Sequence, residues 1–116
     1  MKQMKVMTVG FNPTQFKEDH RFLYAHHIPG VPEGFTEKEY YRLCERHLYS
    51  SYVVIVNLDK VHYDIDEIVV LHKAFLDNKP IFAIGENINK TFFDHFVTQH
   101  FLTLAELHDH LTAHYF

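Results

Sequence analysis

Ser51-Tyr52-Val53-Val54-Ile55-Val56-Asn57-Leu58-Asp59 is the stretch that decides the fold. From Tyr52 to Leu58 it is apolar on both faces of an extended backbone and rich in β-branched side chains, as a strand buried between layers of helix must be. This strand is expected at the centre of a sheet.

Downstream, Asp64 and Glu67 make an acidic capping pair, and Ile65, Ile68, Val69, His72, Phe75 and Leu76 recur at helical spacing. Asn78-Lys79-Pro80 ends that helix, and Ile81-Phe82-Ala83-Ile84-Gly85 is a second short buried strand. A helical turn is expected around Thr91 to Phe96, then an edge strand from Gln99 to Leu102. Thr103 and Glu106 form a capping box, with Leu102 and Leu107 as its staple, opening a last helix toward His114.

Upstream, Thr36 with Glu39 and Phe35 with Tyr40 have the spacings of a capping box and a hydrophobic staple, predicting a helix from about Glu37 to Leu48. Pro29 to Gly34 reads as a loop, and Lys5 to Gly10 as a first strand ending in the turn-like Asn12-Pro13-Thr14. Between them, Gln15 to His27 fits a helix with Phe16, Leu23 and His27 on one side, begun by Asn12 or Thr14; the same residues also fit no helix at all. Alternating strands and helices predict one α/β domain over residues 1–116, a small three-layer sandwich with a mainly parallel sheet of four to five strands, Rossmann- or flavodoxin-like.

Composition narrows the function classes. The chain is 47% hydrophobic and 22% charged, and no apolar run is long enough to cross a bilayer, so no membrane partner is expected. The basic Met1-Lys2-Gln3-Met4-Lys5 leads into a strand without a cleavage signal, which speaks against secretion. Cys44 is the only cysteine, so a reducing, cytoplasmic setting is expected. A formal charge of −4 without clustered Lys and Arg argues against polymeric nucleic acid. Eleven Phe and seven Tyr exceed what so short a chain buries well, which predicts homo-oligomerisation.

In open parallel sheets ligands bind beyond the carboxyl ends of the strands. Those ends carry Phe11 and Asn12, then Asn57 and Asp59, then Gly85, Glu86 and Asn87, with Tyr63, Asp64 and Glu67 on the same rim. An acidic, amide-rich rim suits sugar hydroxyls better than a bare phosphate. The structural alternatives are equally concrete: Asp64 and Glu67 as a helix cap, Asp59 as a turn residue, Glu86-Asn87 as a solvated turn.

The run Ser51 to Asp59, a short loop, a helix containing Ala74, and Asn78-Lys79-Pro80-Ile81-Phe82-Ala83-Ile84 resemble the nucleoside 2-deoxyribosyltransferase-like family, with Lys5 to Phe11 similar to its opening strand. The resemblance implies a nucleoside or nucleotide ligand, with Asp59 and Asp64 touching the sugar or base. It places the family's nucleophilic glutamate at Val70 and its orienting tyrosine at Met7, so the standard chemistry is not expected. Glu67, one turn before Val70, is the alternative nucleophile, with Asp64 as acid, for a divergent N-glycosidase or deoxyribosyltransferase. A module for protein interaction, with no small-molecule site, is the third reading. No cofactor and no metal are expected: His110 and His114 are four apart but have no third ligand assigned. Cys44, between Tyr41 and Leu48, is expected to face the core as a small hydrophobe.

Overall fold

The computed structural model describes residues 2–60, 62–86 and 95–116. Five strands, β1 (Met4–Val9), β2 (Phe22–His27), β3 (Val53–Asn57), β4 (Ile81–Ile84) and β5 (Gln99–Phe101), form a sheet of order β2-β1-β3-β4-β5. Every pairing is parallel, and β3 lies at the centre as expected. Three described helices complete the layers: α1 (Glu37–Ser50), α2 (Ile65–Leu76) and α3 (Leu104–Tyr115).

The two-residue period of the strands explains why β3 is apolar throughout. Val54 and Val56, with Met7, Val9, Ile81 and Ala83, meet Leu48 of α1 and Val70, Leu71 and Ala74 of α2. Val53 and Ile55, with Val6, Phe82 and Ile84, meet Leu107 and Leu111 of α3 on the opposite face. Ile55 and Leu71 are each 1% exposed. Burying a side chain of that size stabilises by about 1.5–3 kcal/mol, which makes the two faces the principal source of cohesion.

The capping signals hold to different degrees. Thr36 Oγ1 accepts from Glu39 N at 3.1 Å and Glu39 Oε1 accepts from Thr36 N at 3.0 Å, while Phe35 and Tyr40 rings pack at 6.2 Å. At α3, Thr103 Oγ1 accepts from Glu106 N, but Glu106 Oε2 reaches past it to Leu102 N at 3.2 Å. Leu102 stays 55% exposed, so it buries little against its expected staple partner.

Two expectations are corrected. Gln15 to His27 is not a helix: a single 3-10 turn, Pro13–Gln15, is followed by β2. Asn12 caps that turn by accepting from Thr14 N and Thr14 Oγ1, and Phe16 is already extended. Pairing of Phe22 to His27 with all of β1 then overrides the helix-like spacing of Phe16, Leu23 and His27. In α2 the period is right and the phase is shifted, with Phe75 alone of the expected apolar residues packed against the core. Glu67, Val70, Leu71 and Ala74 face the core, whereas Ile65 (83% exposed), Ile68 and Leu76 face outward. The edge strand closes at Phe101, and most of the expected turn from Thr91, together with Asn87, lies outside the described residues.

Candidate functional site

From β1 the chain crosses to β2 on one side, while β3 lies on the other, so the strand order reverses between the carboxyl ends of β1 and β3. Gly10 sits there with φ +84°, and a Cβ on it would lie 2.9 Å from Lys60 Cδ and 3.5 Å from Glu67 Oε2. Only glycine accepts both that backbone and that approach. Asn57 ties the two strand ends together, its Nδ2 donating to Gly10 O at 2.9 Å and its Oδ1 accepting from Asp59 N at 2.9 Å. The Tyr63 hydroxyl donates to Asn57 O, and burial, reinforced by the nearby Glu67 and Asp59 charges, pushes its phenol up to about 12.

Glu67 is fully buried beneath these strand ends. Lys60 Nζ donates to Glu67 Oε1 at 2.8 Å and Oε2 at 2.9 Å, and Asp64 N donates to Oε1 at 2.9 Å. The carboxylate is thus a clamp between the loop after β3 and the start of α2. Attack on an anomeric carbon through either oxygen requires Lys60 to leave first.

The remaining rim residues divide. Asp59 and Glu86 meet at the ends of β3 and β4, where Glu86 N donates to Asp59 Oδ1 at 3.0 Å; both are exposed. Gly85, at φ +135°, is what lets Asp59 fold in so closely, since a Cβ there would lie 2.6 Å from Asp59 Oδ1. Phe11 is buried against Phe16, rings 5.3 Å apart and edge-on, and Asn12 is engaged in its cap. Val70 and Met7, the positions of the resembled family's glutamate and tyrosine, are both core residues.

A feature that sequence spacing did not disclose lies beside this rim. A groove of about 960 Å3 runs between α1 and α2, with His27, Gly30, Tyr40, Cys44, Asp64 and Asp66 toward its rim end. Cys44 is not in the core as expected; it is half-buried in the groove wall, with Sγ 3.6 Å from His27 Nδ1. Burial pushes its thiol up. His27 Nε2 lies 3.3 Å from Asp66 Oδ2, which also accepts from Gly30 N at 3.2 Å. A smaller cavity of about 470 Å3 lies between Phe16 and α3. Beside it Arg21 holds the Asp19 carboxyl far below the ordinary carboxylate range.

In α3 the His110 and His114 rings stand 4.3 Å apart, and among the described residues no group of three His, Cys, Asp or Glu is placed to hold a metal ion. Nor is any helix of the described residues long and apolar enough to cross a membrane. No family model and no curated protein matches the chain.

Proposed function

We propose that this protein binds a nucleoside, nucleotide or nucleotide-derived small molecule at the carboxyl end of its parallel strands, in a reducing cytoplasmic setting and without glycosyl transfer by Glu67. The observation that carries this reading is the pairing of an exposed Asp59 with Glu86 beside the reversal of strand order, above a Glu67 already held by Lys60. Exposed carboxylate oxygens accept from sugar hydroxyls, and a reversal of strand order is where ligands of open parallel sheets generally lie. A glycosidase reading with Glu67 as nucleophile and Asp64 as acid is disfavoured by the same clamp, because Lys60 engages both oxygens of a Glu67 that is fully buried.

The test is a thermal-shift panel of nucleosides, deoxynucleosides, nucleotides and ADP-ribose-type compounds. A ligand at a hundred times its Kd adds about 2.7 kcal/mol to apparent stability. One class is expected to raise Tm in a concentration-dependent way, with the effect lost in Asp59→Asn. No shift at saturating concentration rejects the reading and leaves a protein-interaction module. We further propose that the outward stripe of α2 is where two copies of the chain meet.

A further inference from the structure

We propose that Cys44, His27 and Asp66 form a second site, in the groove between α1 and α2, where the thiol takes an acyl group from a small ester or thioester and passes it to water. This goes beyond the nucleoside reading and does not depend on it. The three residues come from α1, β2 and the first turn of α2, and all line the same cavity.

The geometry follows the order that nucleophilic catalysis requires: nucleophile, base, then a group that orients the base. Cys44 Sγ is 3.6 Å from His27 Nδ1, within reach for a thiol donor, and Asp66 Oδ2 is 3.3 Å from the other ring nitrogen. His27 is 4% exposed, and Nε2 is buried without an aligned hydrogen bond, although Asp66 stands within contact distance. A histidine serving only the core would have a satisfied ring. A carboxylate that is close but misaligned is what a ligand-free catalytic pair shows, because such bonds tighten when substrate closes the site. The ring also lies near that of Tyr40, centroids 6.4 Å apart and 22° between planes, and Tyr40 is itself fixed by donating to Ile28 O at 2.6 Å.

Burial keeps Cys44 as the thiol, so activation comes from proton transfer at the moment of attack and not from a standing thiolate. The groove is lined by Leu48, Ile65, Val69 and Val70 together with Glu45 and Lys73, so the acyl chain it takes is short, with an apolar side to pack on the aliphatic residues. In the first step the thiol proton passes to His27 Nδ1 as sulfur bonds to the carbonyl carbon. The bond to the leaving group then breaks, and the imidazolium returns the proton to the departing alkoxide or thiolate. In the second step water gives a proton to Nδ1 and its oxygen bonds to the thioester carbon. The carbon–sulfur bond breaks, sulfur recovers the proton, and a carboxylic acid leaves. His27 and Cys44 are catalytic residues; Asp66 is a positioning residue.

Because Cys44 is the only cysteine, acylation at sulfur is read as the part of the signal that Cys44→Ser removes, the remainder belonging to the histidines and lysines. The full chain is mixed with p-nitrophenyl acetate or butyrate, and acylation is followed by nitrophenol release and by intact mass. General-base assistance is worth about 10²–10⁴-fold, so Cys44 is expected to acylate at least about 100-fold faster than N-acetylcysteine at the same pH, and then to turn over. Cys44→Ser abolishes the adduct at sulfur, and His27→Gln returns the rate to that of the free thiol. Asp66→Asn lowers kcat with KM unchanged, and Asp66→Glu recovers part of it, a pattern that loss of structure alone does not give. Acylation no faster than the free thiol overturns the proposal, as does an Asp66→Asn protein with parental kcat; the latter decides the matter should His27→Gln not fold. Nucleosides are absent from this assay, so its failure leaves the rim untouched.

Discussion

Lys60 Nζ lies 2.8 and 2.9 Å from the two carboxylate oxygens of Glu67, a side chain that no solvent reaches. Lys60 is 28% exposed, so on losing its partner it can turn toward water, and the penalty falls mainly on the buried end. Glu67→Gln is therefore expected to destabilise by about 1–3 kcal/mol, read as a lower urea midpoint with unchanged slope. A variant as stable as the parent would show that the pair clamps nothing.

The two glycines at the rim make a sharper case. Gly10→Ala meets Lys60 Cδ at 2.9 Å and Gly85→Ala meets the Asp59 carboxylate at 2.6 Å, both at positive φ. Each is expected to destabilise by more than about 1 kcal/mol, since alanine at such φ costs more than its unfolded-state entropy returns. Gly30, also at positive φ but with nothing within 4 Å, is the control: Gly30→Ala keeps only the backbone strain. Equal urea midpoints for the three variants would remove the contact argument.

What was legible in the sequence was whatever depended on neighbours along the chain. Val53 to Val56 announced a doubly buried strand, and Thr36 with Glu39 announced a helix start, because period and cap are local properties. β2 was not legible, since Phe22 to His27 is a strand only through its pairing with β1. The phase of α2 failed for a related reason: Glu67 occupies a core position through its ion pair with Lys60, so the most apolar face of the helix is not the buried one. At the site, Tyr63 reaches the end of β3 at Asn57 O, Glu67 lies buried instead of on the rim, and Cys44, His27 and Asp66 meet only once three elements have packed.

Mild acid is expected to weaken the fold. Burial lowers His26, His47 and His110 below the ordinary value of 6.5, with Lys5 and Arg46 adding to the effect on His47 and His114 on His110. A base with a depressed folded value binds fewer protons folded than unfolded, so stability rises with pH. For these groups the rise spans the interval from their lowered folded values up to 6.5. His26, which shares a 2.7 Å hydrogen bond with Thr8 Oγ1, is the most informative to replace. The Tm of His26→Gln is expected to depend less steeply on pH just below 6.5 than that of the parent; parallel curves would assign the dependence to other groups.

Self-association carries the last expectation. Leu76 and Ile68 are 65% and 40% exposed on α2 and, unlike Ile65 and Val69, do not line the groove between α1 and α2. On the adjoining α1, Tyr49 is 52% exposed and does not line that groove either. A stable pair of copies buries about 1,200–2,000 Å2, more than a single helix stripe offers, so surface beyond α2 must take part. The parent chain is expected to sediment as a dimer at micromolar concentration, and Ile68→Glu with Leu76→Lys to sediment as a monomer. Because both positions face solvent, the paired substitution should leave the stability of the single chain within about 0.5 kcal/mol per site. Leu71→Ala, one helix face away and 1% exposed, should instead cost about 2–5 kcal/mol. A parent that sediments as a monomer would leave the stripe as plain surface, whereas a dimer that survives the paired substitution would place the interface on another face of the sheet.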